Sequence, residues 1–176
     1  MAHDPIEIDS PLGPVTLRTE TDADRDFRYR LFCDSRQPEF ALLLPPPAYE
    51  QVMRHQFHAQ TVSYRADFPR ARFDIIELGG QPIGRIVVDR PADVVYIVDQ
   101  AIVPELRNKG IGTAIMHALM KEARAAGVPV RLMVASQGDP AARLYARLGF
   151  AAIDAATPMY ATLEWRSASA EGPARC

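Results

Sequence analysis

Apolar and polar residues recur along the chain with two different periods, and these periods predict both strands and helices. Residues Val15 to Thr19 alternate with a period of two, as in a half-buried strand. A helix should follow, because Thr21 or Asp22 can serve as its N-cap. A second helix is marked by apolar residues at spacings of four and seven: Tyr49, Met53, Phe57, Tyr64 and Phe68.

The rest of the chain adds six strands and two helices. The strands are predicted at Phe73 to Leu78, Pro82 to Asp89, Val94 to Val103, Val128 to Ala135, Ala151 to Asp154 and Met159 to Trp165. One helix is predicted from Gly112 to Ala126, and a short one follows Asp139 and Pro140, which fit its cap and first turn. The order β-α-α-β-β-β-α-β-α-β-β is that of an α/β chain of the α+β type.

Residues 14–166 are predicted to form one domain, because no repeat or low-complexity linker divides them. Pro5 and Pro11 punctuate residues 1–13 and Pro14 follows them, so we expect this segment to be an extended, loosely held lead-in. Residues 167–176 are small, polar and contain Pro and Gly, so they are predicted to form a flexible tail.

Composition and charge exclude several classes of function. The 176 residues are 48% hydrophobic, so a core can form without disulfides or metal. The 20 Lys and Arg are balanced by 22 Asp and Glu, which disfavours nucleic acid and membrane surfaces as partners. No leader or long apolar segment is recognisable, so a cytoplasmic location is expected. His and Cys lack metal-ligand spacing, and no metal is predicted.

The segment Ile102 to Thr113, IVPELRNKGIGT, carries the chemistry. Pro104 ends a strand, and two glycines then turn the backbone into the start of a helix, whose free N–H groups attract anions. The cations Arg107 and Lys109 add to this attraction, so a pyrophosphate site is one interpretation and a plain tight turn is the other. Neither the Walker nor the dinucleotide pattern fits, since Ile115 stands where the latter needs a third glycine.

Two motifs in this order, RNKGIG and the later DPAARLYARLGF, make the chain resemble the GCN5-related N-acetyltransferase (GNAT) superfamily. The resemblance extends from about Val15 to Trp165. It implies an acyl-CoA N-acyltransferase fold, with a mixed central sheet that is splayed between its fourth and fifth strands and helices on both faces. The implied co-substrate is acetyl-CoA, with no metal.

The resemblance also implies which residues hold the coenzyme. Loop amides would bind its pyrophosphate, and its pantetheine arm would lie in the splay, pairing with backbone at the end of the fourth strand. Asp139 stands where many members carry Asn, and it cannot donate a hydrogen bond as an amide does. The implied positions are Ile102, Val103, Arg107, Asn108, Lys109, Gly110, Ile111, Gly112, Thr113, Asp139, Ala142 and Tyr145.

The implied reaction is direct attack of a primary amine on the thioester in a ternary complex. Tyr145 would give the leaving sulfur a proton or a hydrogen bond. The candidates for the general base are Asp99, which interrupts an apolar strand, and Glu77, which shares a strand face with Phe73 and Ile75. Each of these three side chains also has a purely structural interpretation, in packing or in hydrogen bonding.

The acceptor is expected to be a small-molecule or peptide amine. In this family it is usually selected by the first two helices, so Gln56, Gln60 and Tyr64 on the apolar stripe are candidate acceptor-binding residues. The alternative is that these amides bond to backbone. A homodimer is compatible with the family. A second functional hypothesis is a non-catalytic acyl-CoA-binding or regulatory domain on the same fold.

Overall fold

A computed structural model of the protein describes residues 3–35, 44–135, 141–154 and 160–167. The strands are β1 (Ile6–Ile8), β2 (Val15–Thr19), β3 (Arg72–Leu78), β4 (Gln81–Asp89), β5 (Val95–Ile102), β6 (Val130–Ala135), β7 (Ala151–Ala152) and β8 (Tyr160–Trp165). The helices are α1 (Arg25–Ser35), α2 (Pro46–Asp67), α3 (Ile111–Ala126) and α4 (Ala142–Arg147). Short 3-10 turns at Asp22–Asp24 and Pro104–Leu106 precede α1 and α3.

The eight strands form one mixed sheet in the order β1-β2-β3-β4-β5-β6-β8-β7. Strands β5 and β6 are parallel, whereas the other neighbouring pairs are antiparallel. The parallel pairing covers Val95 to Ile97 only, although β5 continues to Ile102. A bulge in the β4–β5 register follows Ile97 and bends the strand. The predicted α/β fold with a splayed mixed sheet is therefore confirmed.

The splay lies between β5 and β6, because the N-terminal segment adds one strand to the predicted count. The expectation of a loosely held lead-in is wrong for its centre, where Ile6–Ile8 pairs with Val15–Leu17 as an edge strand. The turn after β1 also reaches the loop before α3. A Cβ added to Gly110 would lie 2.7 Å from Cγ of Pro11.

Helices cover both faces of the sheet. On one face, α3 buries its apolar stripe, with Ile115 and Met116 fully buried against strand residues such as Ile86 and Ile97. On the other face, α1 and α2 pack against each other through Phe32, Met53 and Phe57. Among the helices in the described ranges, none has the length and apolar character needed to cross a bilayer.

Candidate active site

The loop between β5 and α3 is shaped by its backbone. Asn108 and Gly110 both have positive φ angles, 59° and 88°, and Gly110 caps α3. The buried Ile111 fixes the first turn of the helix to the core. The first helical hydrogen bond runs from the Ala114 N–H to the Gly110 carbonyl at 2.9 Å, so the amides before Ala114 have no partner within the helix. These amides lie at the positive end of the α3 dipole, which favours binding of an anion.

Gly112 lies where β5, α3 and α4 meet. A Cβ at this position would lie 3.5 Å from Gln100 Nε2, 3.6 Å from Ile102 Cδ1 and 4.0 Å from Leu144 Cδ2. These are ordinary contact distances, so packing does not require a glycine here, although glycine weakens a helix by about 0.5–1 kcal/mol relative to alanine. The missing side chain keeps the end of β5 open and leaves the backbone amides approachable, as a pyrophosphate requires.

The Arg107 side chain braces this loop rather than extending from it. Its Nε donates to the Ile102 carbonyl at 2.8 Å, and its Nη2 donates to the Asp34 carbonyl at 3.1 Å, which links the end of β5 to α1. The N–H of Val103 donates to the Ile83 carbonyl at 2.9 Å. The Val103 amide is therefore engaged within the sheet, so a backbone contact from Val103 to the pantetheine would have to use its carbonyl.

The remaining coenzyme positions divide between the loop and α4. Asn108 and Lys109 are exposed, while Thr113 is half-buried. Ala142 begins α4, and the Tyr145 ring on the same helix is buried, 5.7 Å from the Phe150 ring in a T-shaped contact. Asp139 and Pro140 lie outside the described residues.

A cleft that is open to solvent lies between the helices α1 and α2 and the strands β4 and β5. We call it the acceptor cleft, after the role that sequence analysis leads us to expect for α1 and α2. Its charged and polar lining comes from Arg28, Ser35, Gln60, Arg85 and Asp99. Its apolar lining comes from Leu31, Phe32, Phe57 and Ala101.

A buried cluster of charged side chains lies beside the acceptor cleft. The Glu20 side chain is 1% exposed, with Oε1 2.6 Å from Arg65 Nη2 and Oε2 2.9 Å from Arg85 Nε. Arg28 Nε is 3.4 Å from the same Oε2. Sequence reasoning missed Glu20, Arg28 and Arg85. A signal for Arg85 is present in the sequence, since Arg85, like Asp99, is a charged residue within an otherwise apolar strand.

The two candidate bases lie in different surroundings. Asp99 lines the acceptor cleft, and its Oδ2 is 3.2 Å from Arg85 Nη1. Glu77 is not among the lining residues, and its Oε1 is 2.6 Å from Arg18 Nε. Arg18 also binds Asp24 and lowers the pKa of that carboxyl to about 2. The structure thus brings Asp99, but not Glu77, to the acceptor cleft.

The α2 candidates also separate. Gln60 lines the acceptor cleft and its Nε2 donates to the Tyr64 hydroxyl at 3.2 Å. Tyr64 is half-buried. The stripe prediction is wrong for Gln56, whose side chain is exposed because the buried side of α2 follows Met53 and Phe57. Within the described ranges, no three His, Cys, Asp or Glu residues lie together as metal ligands would.

Three comparisons relate this geometry to known proteins. The model of the acetyltransferase (GNAT) family matches residues 29–150, which include most of the acceptor cleft, the loop and α4. A comparison with curated proteins found no significant match. A comparison with solved structures found many similar folds.

One similar structure is the PaiA N-acetyltransferase from Thermoplasma acidophilum in complex with coenzyme A, with TM-score 0.64, 18% identity, and 87% of this chain and 99% of that chain covered. Another is RimJ from Mycobacterium smegmatis in complex with CoA-disulfide, with TM-score 0.61, 16% identity, and coverage of 96% and 89%. At these identities the likeness shows the fold. The family match over residues 29–150 shows more: this chain belongs to the GNAT acetyltransferase family.

Proposed function

We propose that the protein is an acetyl-CoA-dependent N-acetyltransferase that acts on a primary amine by direct transfer in a ternary complex. The observation that carries the proposal is Gly112, which keeps the amides at the start of α3 approachable although packing would accept a side chain there. Membership of the GNAT family supports acyl-CoA-dependent acetyl transfer in general. The primary amine as acceptor is our proposal.

The coenzyme fits the residues present. The amides of Gly112 and Thr113 would hold the pyrophosphate, with Lys109 as a neighbouring cation. Leu144 and Ile102 border the adjoining space at the end of β5. Acetyl-CoA, when bound, supplies the acetyl group as a thioester.

The acetyl transfer is proposed to use the acceptor cleft on one side and α4 on the other. The amine nitrogen forms a bond to the thioester carbon, the carbon–sulfur bond breaks, and sulfur leaves as a thiolate. Asp99 accepts the proton that the amine loses, directly or through water. The Tyr145 hydroxyl donates a hydrogen bond to the departing sulfur. Glu77 has no part in this scheme, because it pairs with Arg18 away from the cleft lining.

The test is release of free thiol from acetyl-CoA across a panel of primary amines, with the acetylated product identified by mass. Tyr145→Phe keeps the ring that packs on Phe150 and removes the hydroxyl, so kcat should fall about 100-fold. The dissociation constant for acetyl-CoA should stay within about twofold, since the hydroxyl acts on the leaving sulfur. Tyr160→Phe, at an exposed position, is the matched control.

A non-catalytic acyl-CoA-binding domain would behave differently. It would bind acetyl-CoA without thiol release from any amine, and Tyr145→Phe would have no turnover to change. One observation favours this second candidate, namely that Asp99 is engaged by Arg85 at 3.2 Å. Thiol release with any amine in the panel decides for the enzyme.

A further inference from the structure

The acceptor cleft carries more positive than negative charge. The guanidinium groups of Arg28, Arg65 and Arg85 surround one buried carboxylate, Glu20. Asp99 adds the second negative charge, through its contact with Arg85. Among the residues that line the cleft, two cations, Arg28 and Arg85, therefore face one anion, Asp99.

Arg28 is the least neutralised member of this cluster. Glu20 lies closer to the other two arginines, and Arg28 Nε, 3.4 Å from Oε2, has no hydrogen-bond partner in the described part of the chain. The Arg28 side chain is only 7% exposed, and its Nη2 donates to Thr61 Oγ1 at 3.3 Å. Burial lowers the pKa of Arg28. The nearby Glu20 carboxylate opposes this decrease, and the neighbouring guanidinium groups add to it.

A buried cation without full pairing is costly, so a partner anion supplied by a ligand would be strongly favoured. Arg28 lines the acceptor cleft together with Arg85. Among the described residues, neither Arg28 Nη1 nor Arg85 Nη2 makes a hydrogen bond. Guanidinium groups presented in this way match the geometry of a carboxylate.

The rest of the acceptor cleft lining is mixed, with Ser35 and Gln60 as its polar residues and four apolar residues beside them. Leu31, Phe32 and Phe57 line one side, and Ala101 from β5 lines another. The apolar residues can hold the side chain of a ligand whose charged end rests on the arginines.

We propose that the acceptor is an amino acid, whose carboxylate binds Arg28 and Arg85 and whose amine is directed towards Asp99. The proposal rests on the proposed function and names its substrate class. It accounts for the surplus cation at the base of the cleft, for the apolar residues of its lining and for a carboxylate on β5 beside Arg85.

The first test needs no variant. Each amino acid in a panel is compared with its primary amide in the thiol-release assay, after calorimetry has shown that acetyl-CoA binds. The amide has the same shape but no anion, and its amine is less basic, which favours the reactive neutral form. We expect at least one amino acid to exceed its amide in kcat/KM by about tenfold or more, against that bias, because a charge-assisted contact is lost.

The second test replaces the arginine. Arg28→Gln should raise KM for the preferred amino acid about tenfold or more, while the amide is affected less and the dissociation constant for acetyl-CoA stays within about twofold. Arg54→Gln is the matched control. Arg54 lies over the ring of Tyr29, as Arg28 lies over the ring of Phe57, but it pairs with Glu50 outside the cleft lining. Circular dichroism establishes that both variants fold.

The outcomes separate the two proposals. If no acetyl-CoA binds, or if no amine releases thiol, the proposed function fails and this inference fails with it. If amides or simple amines are acetylated as well as the amino acids, the enzyme stands and the carboxylate site is overturned. An equal effect of Arg28→Gln on acid and amide would also overturn it. If the variant does not fold, the acid and amide comparison decides alone.

Discussion

The loop proposed to bind the coenzyme and the acceptor cleft are built in opposite ways. The loop is a continuous segment from Ile102 to Thr113 whose shape comes from backbone angles at Asn108 and Gly110. The acceptor cleft is assembled from α1, α2, β4 and β5. The charge cluster beside it is held together by side-chain ion pairs around Glu20. One region therefore depends on what the backbone can do, and the other on which charges lie side by side.

This difference teaches which changes each region tolerates. Only substitution by proline removes a backbone N–H, so the loop should resist loss of its side chains and respond to strain. The cleft should respond to the loss of single charges, because each buried guanidinium depends on a few carboxylates. The predictions below test this contrast, starting with the largest expected effect.

Among changes around the acceptor cleft, Glu20→Gln should reduce the stability of the protein most. It removes the carboxylate shared by three arginines and leaves buried charges unpaired, which should lower the free energy of unfolding by about 3 kcal/mol. Urea denaturation measures this loss. Glu50→Gln, which breaks an exposed i,i+4 pair with Arg54, should cost about 0.5 kcal/mol or less. Equal costs for the two variants would contradict a cleft held by buried charge.

Gly110→Ala should be the most damaging change in the loop. Gly110 has φ 88°, and a Cβ there would lie 2.7 Å from Pro11 Cγ. Strain of about 1–3 kcal/mol would shift the amides at the start of α3, so acetyl-CoA affinity should fall about tenfold or more.

Gly80→Ala is the matched control for Gly110→Ala. Gly80 also has a positive φ, 75°, but lies in the β3–β4 turn with nothing within 4 Å of an added Cβ. It should lose stability without losing acetyl-CoA affinity, as calorimetry and thermal unfolding can compare. A loss of affinity in both variants would mean that general destabilisation, not loop geometry, explains the result.

Lowering the pH should destabilise the fold near the start of α1. Arg18 lowers the pKa of Asp24 from 3.8 to about 2, so the ionised carboxylate is favoured in the folded state. Asp24 therefore stabilises the fold above pH 4, and this contribution is lost as the pH falls towards about 2. In Asp24→Asn, the free energy of unfolding should vary less over this window, whereas exposed Asp26→Asn should keep the wild-type slope. The same slope in all three proteins would refute the assignment.

Lys109→Ala should have the smallest effect. Lys109 is exposed, so its charge acts on the coenzyme through water. Acetyl-CoA affinity should fall about threefold or less, and the difference should vanish as salt is raised. A loss of about 100-fold would mean that the lysine side chain, rather than the backbone, holds the pyrophosphate.

The same contrast explains what sequence analysis could and could not predict. The shape of the loop could be predicted because Pro104, Gly110 and Gly112 each determine the local backbone conformation, and all three lie within twelve residues. The sheet order and its splay follow from strand patterns and from the resemblance of two motifs to a known family. The element bounds agree with the pattern to within a few residues for most strands.

The acceptor cleft could not be predicted from the local sequence in the same way. Glu20, Arg28 and Arg85 come from three separate elements, and no local spacing announces that tertiary packing brings them together. Gln56 shows the reverse error, since its position on the predicted stripe suggested burial whereas its side chain is exposed. The edge strand Ile6–Ile8 was missed because prolines on both sides obscured three residues that pair with β2.

The most direct test of a backbone-built coenzyme site is calorimetric titration of acetyl-CoA into the wild-type protein and into Gly112→Ala. Packing accepts the added Cβ, with contacts of 3.5 Å or more, and alanine favours a helix over glycine, so the variant should unfold at a temperature no lower than that of the wild type. The account predicts saturable binding to the wild type, and affinity about tenfold weaker in the variant because its amides are partly covered. No binding to the wild type at about millimolar acetyl-CoA, or equal affinity in both proteins, would contradict it.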